Sequence, residues 1–496
     1  MPLEFESTKT RAEDIFVGLV TDEYYSRQLL GKTLGDAIER LERVSSEAQT
    51  PPETHLREQM EAVYQVRNLI RLAVSEIILY DERVARFAGD NLQEVEDLKV
   101  DPELVKGLAR TMFEASKAKR GDTVMICGTK QNLQVLEEIA KICLEENVNF
   151  RVDMDNPSLR AELMNDASQN GLKNLAREWI SYVTGITKIE VRSNGDLSIK
   201  INPGQSKLYG KETTEQMDRY RSGEDHFTST IVPTPENAEL DGMDYESYLR
   251  FYFEALDQPW EEIAKAQRKL KTKLDAGKKI HIKDGNGTDI TFDIEGFTFA
   301  SSILDKNVPG SELFSAPKKD SAEGKIVANG KFKYKDFEMM EDLVLIFEKG
   351  KIISAKAGKG QETLDEILSQ DEGINFIGEL AFGTNPHIRR HLINPLLVEK
   401  ISGSFHIALG NAYEMKEYEG EQVKLDNGNR SEDNHHWDIA TLLRGINSEI
   451  YLDGKLLQKN GIWVTEDGEE DKELAVLNHG WAALPEKARP AWFKTS

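Results

Sequence analysis

The chain has 496 residues, 39% hydrophobic and 30% charged, with a formal net charge of −24. That length exceeds one ordinary domain, supports two or three, and carries enough apolar content for a sizeable core. The negative balance argues against nucleic acid or anionic membrane as a main partner, because phosphate contacts need clustered Lys and Arg.

The opening Met1-Pro2-Leu3-Glu4-Phe5-Glu6 has neither a basic nor an apolar leader, and no window approaches eighteen consecutive apolar residues, so a cytoplasmic protein without a membrane span is expected. Cys127 and Cys143 are the two cysteines, too few for a disulfide framework or a thiolate zinc site.

Residues 1–95 read as a helical extension. Val17 to Val44 and Glu53 to Phe87 carry apolar residues at spacings of three and four, among them Val63, Val66, Leu69, Ile70, Ala73 and Ile77. Pro51-Pro52 separates the two stretches, and no ligand-type cluster falls in either.

Residues 96–235 read as an α/β domain. Thr123-Val124-Met125-Ile126-Cys127 is a short apolar run of buried-strand type, Gln134 to Glu145 an amphipathic helix, and Asn149 to Asp153 the next strand. This is a βαβ unit, and it predicts a parallel sheet. Gly128 stands alone, without G-x-G-x-x-G, so a nicotinamide role is unsupported. Ile189 to Arg192 and Leu197 to Lys200 flank Asn194-Gly195, a hairpin signal. Residues 203–235 read as a linker with one or two helical turns.

Residues 236–496 read as a β-rich metal-binding domain, entered through a helical stretch from Tyr245 to Leu274 that breaks at Asp257-Gln258-Pro259-Trp260. Short strands follow at Lys279–Lys283, Asp289–Ile294, Gly324–Ala328, Leu343–Phe347 and Lys351–Ala357. The run Gly285 to Asp289 lacks the periodicity of a calcium loop and the Lys-Ser/Thr of a phosphate loop, and reads as a turn. The acidic run Glu466 to Asp471 reads as solvated, and Trp481 and Trp492 as C-terminal packing.

The densest mix of metal-type ligands lies between Gly378 and Thr441, with five of the nine histidines. Strand side chains alternate, so His436 and Asp438 aim at one point while Trp437 packs on the other face. His406 likewise points away from Phe405, Ile407 and Leu409. Glu379 sits in an apolar run, where a carboxylate is costly to bury unless paired or metal-bound. Two histidines with carboxylates suit Zn, Co or Mn. Glu312, after the Pro309-Gly310 turn, reads on its own as an exposed turn carboxylate. His387 and His391 have the spacing of H-E-x-x-H but Ile388 replaces its Glu, so a basic surface turn is expected.

In order along the chain, Pro233-Thr234-Pro235-Glu236-Asn237-Ala238, Gly287-Thr288-Asp289, Pro309 to Pro317, Gly378-Glu379-Leu380, Gly383-Thr384-Asn385, His406 to Gly410, Tyr413 and His436-Trp437-Asp438 resemble the aminopeptidase T/aminopeptidase S family of metallo-aminopeptidases. The likeness is good from about residue 230 to 465 and weaker from 100 to 230, and residues 1–95 look like an extension that the family usually lacks. It implies an α/β N-terminal domain, a β-rich C-terminal domain, a homodimer with enclosed active sites, peptide substrates, and two divalent metal ions (Zn, Co or Mn). It implies Glu312, Glu379, His406, His436 and Asp438 as ligands, Glu379 bridging, with Tyr413 as active-site tyrosine and Glu399 as general base. Ser311 stands where the family usually has Gly, and Glu414, Glu417, Glu419 and Glu421 crowd the region near the site. Two other readings compete: a single-iron, ring-cleaving dioxygenase of related fold, and a non-catalytic interaction protein. The presence of both Glu312 and Glu379 favours two metals.

Overall fold

The structure, a computed structural model, describes residues 98–155, 157–193, 201–335, 337–431, 435–490 and 492–493, with isolated helical positions between Glu39 and Val66. Apart from those positions, the helical extension expected over residues 1–95 lies outside the described residues. So do residues 194–200, and with them most of the hairpin expected at Asn194-Gly195.

The chain divides into two compact units, one running to Tyr220 and resuming over Asp225–Glu236, the other Arg221–Glu224 and Asn237–Ser496. In the first unit, β1 (Thr123–Thr129), β2 (Asn149–Asp155), β3 (Thr187–Ser193) and β4 (Phe227–Val232) form an all-parallel sheet in the order β2-β1-β3-β4. β1 is buried from Val124 onward, as a central parallel strand covered on both faces must be. The helix Leu133–Glu146 turns Val135, Leu136, Ile139, Ala140 and Cys143 inward and ends at Asn147, whose φ of 57° is tolerated by asparagine. Burial pushes the Cys143 thiol up to about 12, which makes it a core residue and not a nucleophile.

Residues 203–235 are not a linker. They hold two helices, Pro203–Glu212 and Thr214–Ser222, and the fourth strand. β4 escapes a hydrophobicity reading because its buried centre is Thr228-Ser229-Thr230, hydroxyl residues in a β-branched run.

Asp225, just before β4, ties this unit together. Its carboxylate accepts both Nε and Nη2 of Arg219 at 2.8 Å, Nε2 of Gln216 at 2.8 Å, and the Gly185 N–H at 3.2 Å. The Arg219 hydrogen bonds are the main cause that lowers its pKa to about 2. A carboxylate with a depressed folded pKa stabilises above its unfolded value, and that contribution fades as pH falls toward the folded value. Asp225→Asn is therefore expected to cost about 2 kcal/mol near neutral pH. In urea titrations the gap between variant and wild type should stay constant above about pH 5 and shrink below about pH 4.

The second unit opens with the helices Tyr245–Leu256 and Trp260–Asp275, broken at Pro259. Trp481 Nε1 donates to the Asp257 carbonyl at 2.7 Å and Trp492 Nε1 to its carboxylate at 2.6 Å, so the C-terminal tryptophans pack on that break. The strands that follow are β5 (Lys279–Lys283), β6 (Asp289–Asp293), β7 (Ala300–Ser302), β8 (Glu312–Ser315), β9 (Glu323–Phe332), β10 (Met340–Glu348) and β11 (Lys351–Lys359). Next come β12 (Ile377–Gly383), β13 (Ser404–Gly410), β14 (Glu417–Tyr418), β15 (Glu421–Gln422), β16 (His436–Leu442), β17 (Glu449–Leu452), β18 (Lys455–Lys459) and β19 (Ile462–Trp463).

They build an antiparallel eight-stranded sheet, β11-β10-β9-β6-β5-β17-β18-β19, and an antiparallel five-stranded sheet, β16-β13-β12-β8-β7, with β14-β15 as a separate hairpin. Leu313, Leu380, Phe382, Phe405, Ile407, Leu409, Trp437 and Ile439 leave the five-stranded sheet on one face and join Ile280, Phe292, Ile326 and Leu345 of the larger sheet in a single core. Alternation then puts the intervening residues of these strands on the opposite face, except at the irregularity between Ile377 and Glu379 in β12, where Ile377 also enters the core. The chain thus combines an α/β unit with a sheet-rich C-terminal unit.

Candidate metal centre

The opposite face of the five-stranded sheet carries the site. The register lines up Glu312 with Gly383 and Ser404, Phe314 with Ala381, His406 and Ala440, and Glu379 with Ala408 and Asp438. Small residues, Gly383, Ala381, Ser404, Ala408 and Ala440, make a floor, and Glu312, Glu379, His406, His436 and Asp438 stand on it from four adjacent strands.

His406 is fully buried, its Nε2 at 3.3 Å from Glu379 Oε1 and 3.4 Å from Glu312 Oε2. His436 Nε2 lies 3.5 Å from Glu379 Oε2 and 3.5 Å from Asp438 Oδ1, while its Nδ1 donates to the Asn411 carbonyl at 3.0 Å. Such an outer-shell bond fixes the tautomer that leaves Nε2 free to ligate. Among the described residues, two groups bring donor atoms within 4.8 Å of one another: Glu312, Glu379 and His406, and Glu379, His436 and Asp438. Glu379 belongs to both, one oxygen to each. Glu312, which reads alone as an exposed turn carboxylate, is buried here because β8 is covered on both faces.

The donors fit divalent metal. Glu312 Oε2 is buried and has no hydrogen-bond partner, an orphan that an ion would satisfy. Burial pushes Glu312 up. Burial pushes Glu379 up as well, but His406 and His436 outweigh it and hold its carboxyl low. Burial disfavours the charged imidazoles, yet Glu379 and Glu312 raise His406 to about 9, and Asp438 and Glu379 lift His436 well above its usual range. The carboxylates that raise these imidazoles would equally favour a metal ion, whose binding would compete with the protons.

Tyr413 borders the group, its ring 5.0 Å from that of His436 and 5.6 Å from that of Phe314, centroid to centroid. Burial raises its hydroxyl well above the usual value, so it stays a donor. It belongs to a cover, Met415, Tyr418, Val423 and Leu425, that packs on Ala300, Phe314 and Ala381 from the site side. The acidic stretch around Glu417 and Glu421 is the tip of this cover, the β14-β15 hairpin.

Glu399 also reaches the site, through a residue that sequence reasoning missed. Lys400 has no exposed side-chain surface and donates to Glu399 Oε2 at 2.5 Å and Glu312 Oε1 at 2.6 Å. Its only signal was a Glu-Lys pair inside the apolar run Leu396 to Ile401. Burial pushes the Glu399 carboxyl up to about 8 against the pull of Lys400. The backbone of 399–401 lies so close to β12 that a Cβ on Gly383 would sit 2.3 Å from the Ile401 carbonyl oxygen and 2.8 Å from that of Glu399. Glycine is required there. Ser311 adopts φ +89°, a region that favours glycine, and is clamped by Thr384 Oγ1 at 2.8 Å and Gln267 Nε2 at 3.2 Å, which aims Glu312 at the site.

His387 and His391 lie outside this constellation, half-buried at either end of a segment whose arginines face solvent. His387 packs at a tilt against Phe251 and edge-on against Trp492, and burial drops it to about 4; His391 packs edge-on against Phe332, and burial drops it likewise to about 4. Only the intervening Arg389 and Arg390 are exposed.

Three carboxylates and two imidazoles on one sheet face, Glu312, Glu379 and His406 buried and His436 and Asp438 half-buried, are the donor set of a metalloenzyme. The sequence pattern of the thermophilic metalloprotease (M29) family matches residues 103–468, and the chain belongs to that family. It is therefore a metal-dependent peptidase. Aminopeptidase AmpS of Bacillus subtilis is 28% identical over 334 residues, 59% of this chain and 78% of the relative. Aminopeptidase T of Thermus thermophilus is 27% identical over 268 residues, 47% of this chain and 65% of the relative. The solved structure of wild-type AmpT from Thermus thermophilus matches the fold with a TM-score of 0.57 at 21% identity, covering 72% of this chain and 99% of that one.

Proposed function

We propose that this metallo-aminopeptidase hydrolyses N-terminal residues from peptides at a dinuclear centre of Zn, Co or Mn. Glu312 and His406 would hold one ion, His436 and Asp438 the other, and Glu379 would bridge them. The observation that carries the reading is Glu379 itself, which offers one oxygen to each of two donor groups. The aminopeptidase relatives support the substrate class. When bound, the ions would acidify a water, polarise the scissile carbonyl and anchor the free α-amine.

The remaining work falls to the protein. Glu399, raised to about 8, is a stronger base than an ordinary carboxylate, and once deprotonated it takes the proton of the attacking water and returns it to the leaving amine. The Tyr413 phenol keeps its proton and donates to the oxyanion as charge develops. The hydrophobic cover over Phe314 and Ala381 screens the site from water and strengthens these interactions. We place the enzyme in the cytoplasm from the sequence, and take it as a homodimer from its resemblance to the aminopeptidase T/aminopeptidase S family. Among the described residues no helix is long and apolar enough to cross a membrane.

Elemental mass spectrometry paired with hydrolysis of aminoacyl-nitroanilides tests the reading. Two metals per chain, and release that a chelator stops and added Zn, Co or Mn restores, is the expected outcome. A single iron or no metal, with no hydrolysis under any addition, would sink it.

A further inference from the structure

Lysine is seldom fully buried, and then only when paired. Lys400 is pinned at both levels. Its carbonyl accepts the Asn385 N–H at 2.9 Å and its N–H donates to the Leu397 carbonyl at 3.1 Å, while its ammonium spans Glu312 Oε1 and Glu399 Oε2. The other oxygen of Glu312 is left without a hydrogen bond and faces His406 Nε2 at 3.4 Å. One cation thus holds a candidate ligand and the candidate base, and it occupies only one oxygen of each. A compact ammonium with three donors can serve two carboxylates from one enclosed point, whereas the planar fork of arginine favours bidentate capture of one.

We propose that Lys400 is a positioning residue of the metal centre: by occupying Glu312 Oε1 it commits Glu312 to its ion through Oε2 alone, and by holding Glu399 Oε2 it fixes the base beside that ion. The proposal rests on the two-metal reading. Without Lys400, Glu312 is free to chelate with both oxygens, which raises the coordination number of one ion and leaves the other unchanged.

Cobalt titrated into metal-free protein, followed by calorimetry and by visible absorption, tests this in wild type, K400M and K400Q. Wild type should take two ions. K400M should bind one of them with an affinity changed by about 10- to 100-fold, the usual scale of losing an outer-shell partner. Its visible cobalt bands should also weaken, because higher coordination absorbs less. K400Q, which keeps amide donors without the charge, should fall between. Wild type with two ions and K400M with the same affinities and spectrum would overturn the role of Lys400 alone. Fewer than two ions in wild type would overturn the two-metal reading and this proposal with it. If K400M does not fold, K400Q decides; failure of both, beside a folded metal-free wild type, would make Lys400 a scaffold residue and overturn the proposal.

Discussion

Glu379→Gln is expected to lower kcat/KM by a factor on the order of a thousand or more and to leave the chain with at most one bound metal. The amide keeps the shape of the carboxylate but loses the charge and one acceptor oxygen. In the wild type those two oxygens lie 3.3 Å from His406 Nε2 and 3.5 Å from His436 Nε2, so one substitution disables both donor groups at once. Losing several kcal/mol of metal-borne transition-state stabilisation corresponds to about a thousandfold, at about 1.4 kcal/mol per tenfold. Two measurements separate this from general damage. A ligand that binds only the native state stabilises it by mass action, about 2.7 kcal/mol at a hundredfold excess over its dissociation constant. Added zinc should therefore raise the melting temperature of wild type and fail to do so for the variant, while the metal-free proteins melt alike. Wild-type activity and metal content in Glu379→Gln would remove Glu379 from the centre.

The orientation of three ligands was legible in the sequence, but the convergence of all five was not. Alternation along Ser404–Gly410 and His436–Leu442 places His406, His436 and Asp438 on the face away from Phe405, Ile407, Leu409 and Trp437, and the structure has them there. That Glu312 and Glu379 join them depends on the strand order β16-β13-β12-β8, set by contacts between residues far apart in sequence. Family resemblance supplied that step. Periodicity did not. Lys400 was illegible because a lysine's burial is fixed by its distant partners, here Glu312, 88 residues away. β4 was illegible because Thr228, Ser229 and Thr230 are buried as hydroxyls in a sheet, a pattern that hydropathy scores as a loop. His387 and His391 misled for the converse reason: adjacent exposed arginines dominate the local pattern, whereas the rings that bury the histidines come from Phe251, Phe332 and Trp492.

Glu399→Gln should behave differently from Glu379→Gln, and the contrast separates base from ligand. The expected result is a fall in kcat of about a hundred- to ten-thousandfold, the usual worth of general acid–base catalysis, with metal content still at the wild-type value. Glu399 lies outside both donor groups and meets the site through Lys400, so its loss removes a proton acceptor without removing a metal donor. The working form of the base is the deprotonated carboxylate, so the rate must rise with pH as Glu399 loses its proton. Burial, with the negative charges of Asp438 and Glu312, holds that step up at about 8, and Lys400 pulls the other way. Two divalent cations at the proposed centre would favour the anion further and move the step below 8. Wild type should therefore show an acid limb in kcat/KM on the low side of 8, and Glu399→Gln should lack it. If the limb persists unchanged in the variant, another group is the base. If metal content drops instead, Glu399 is a ligand.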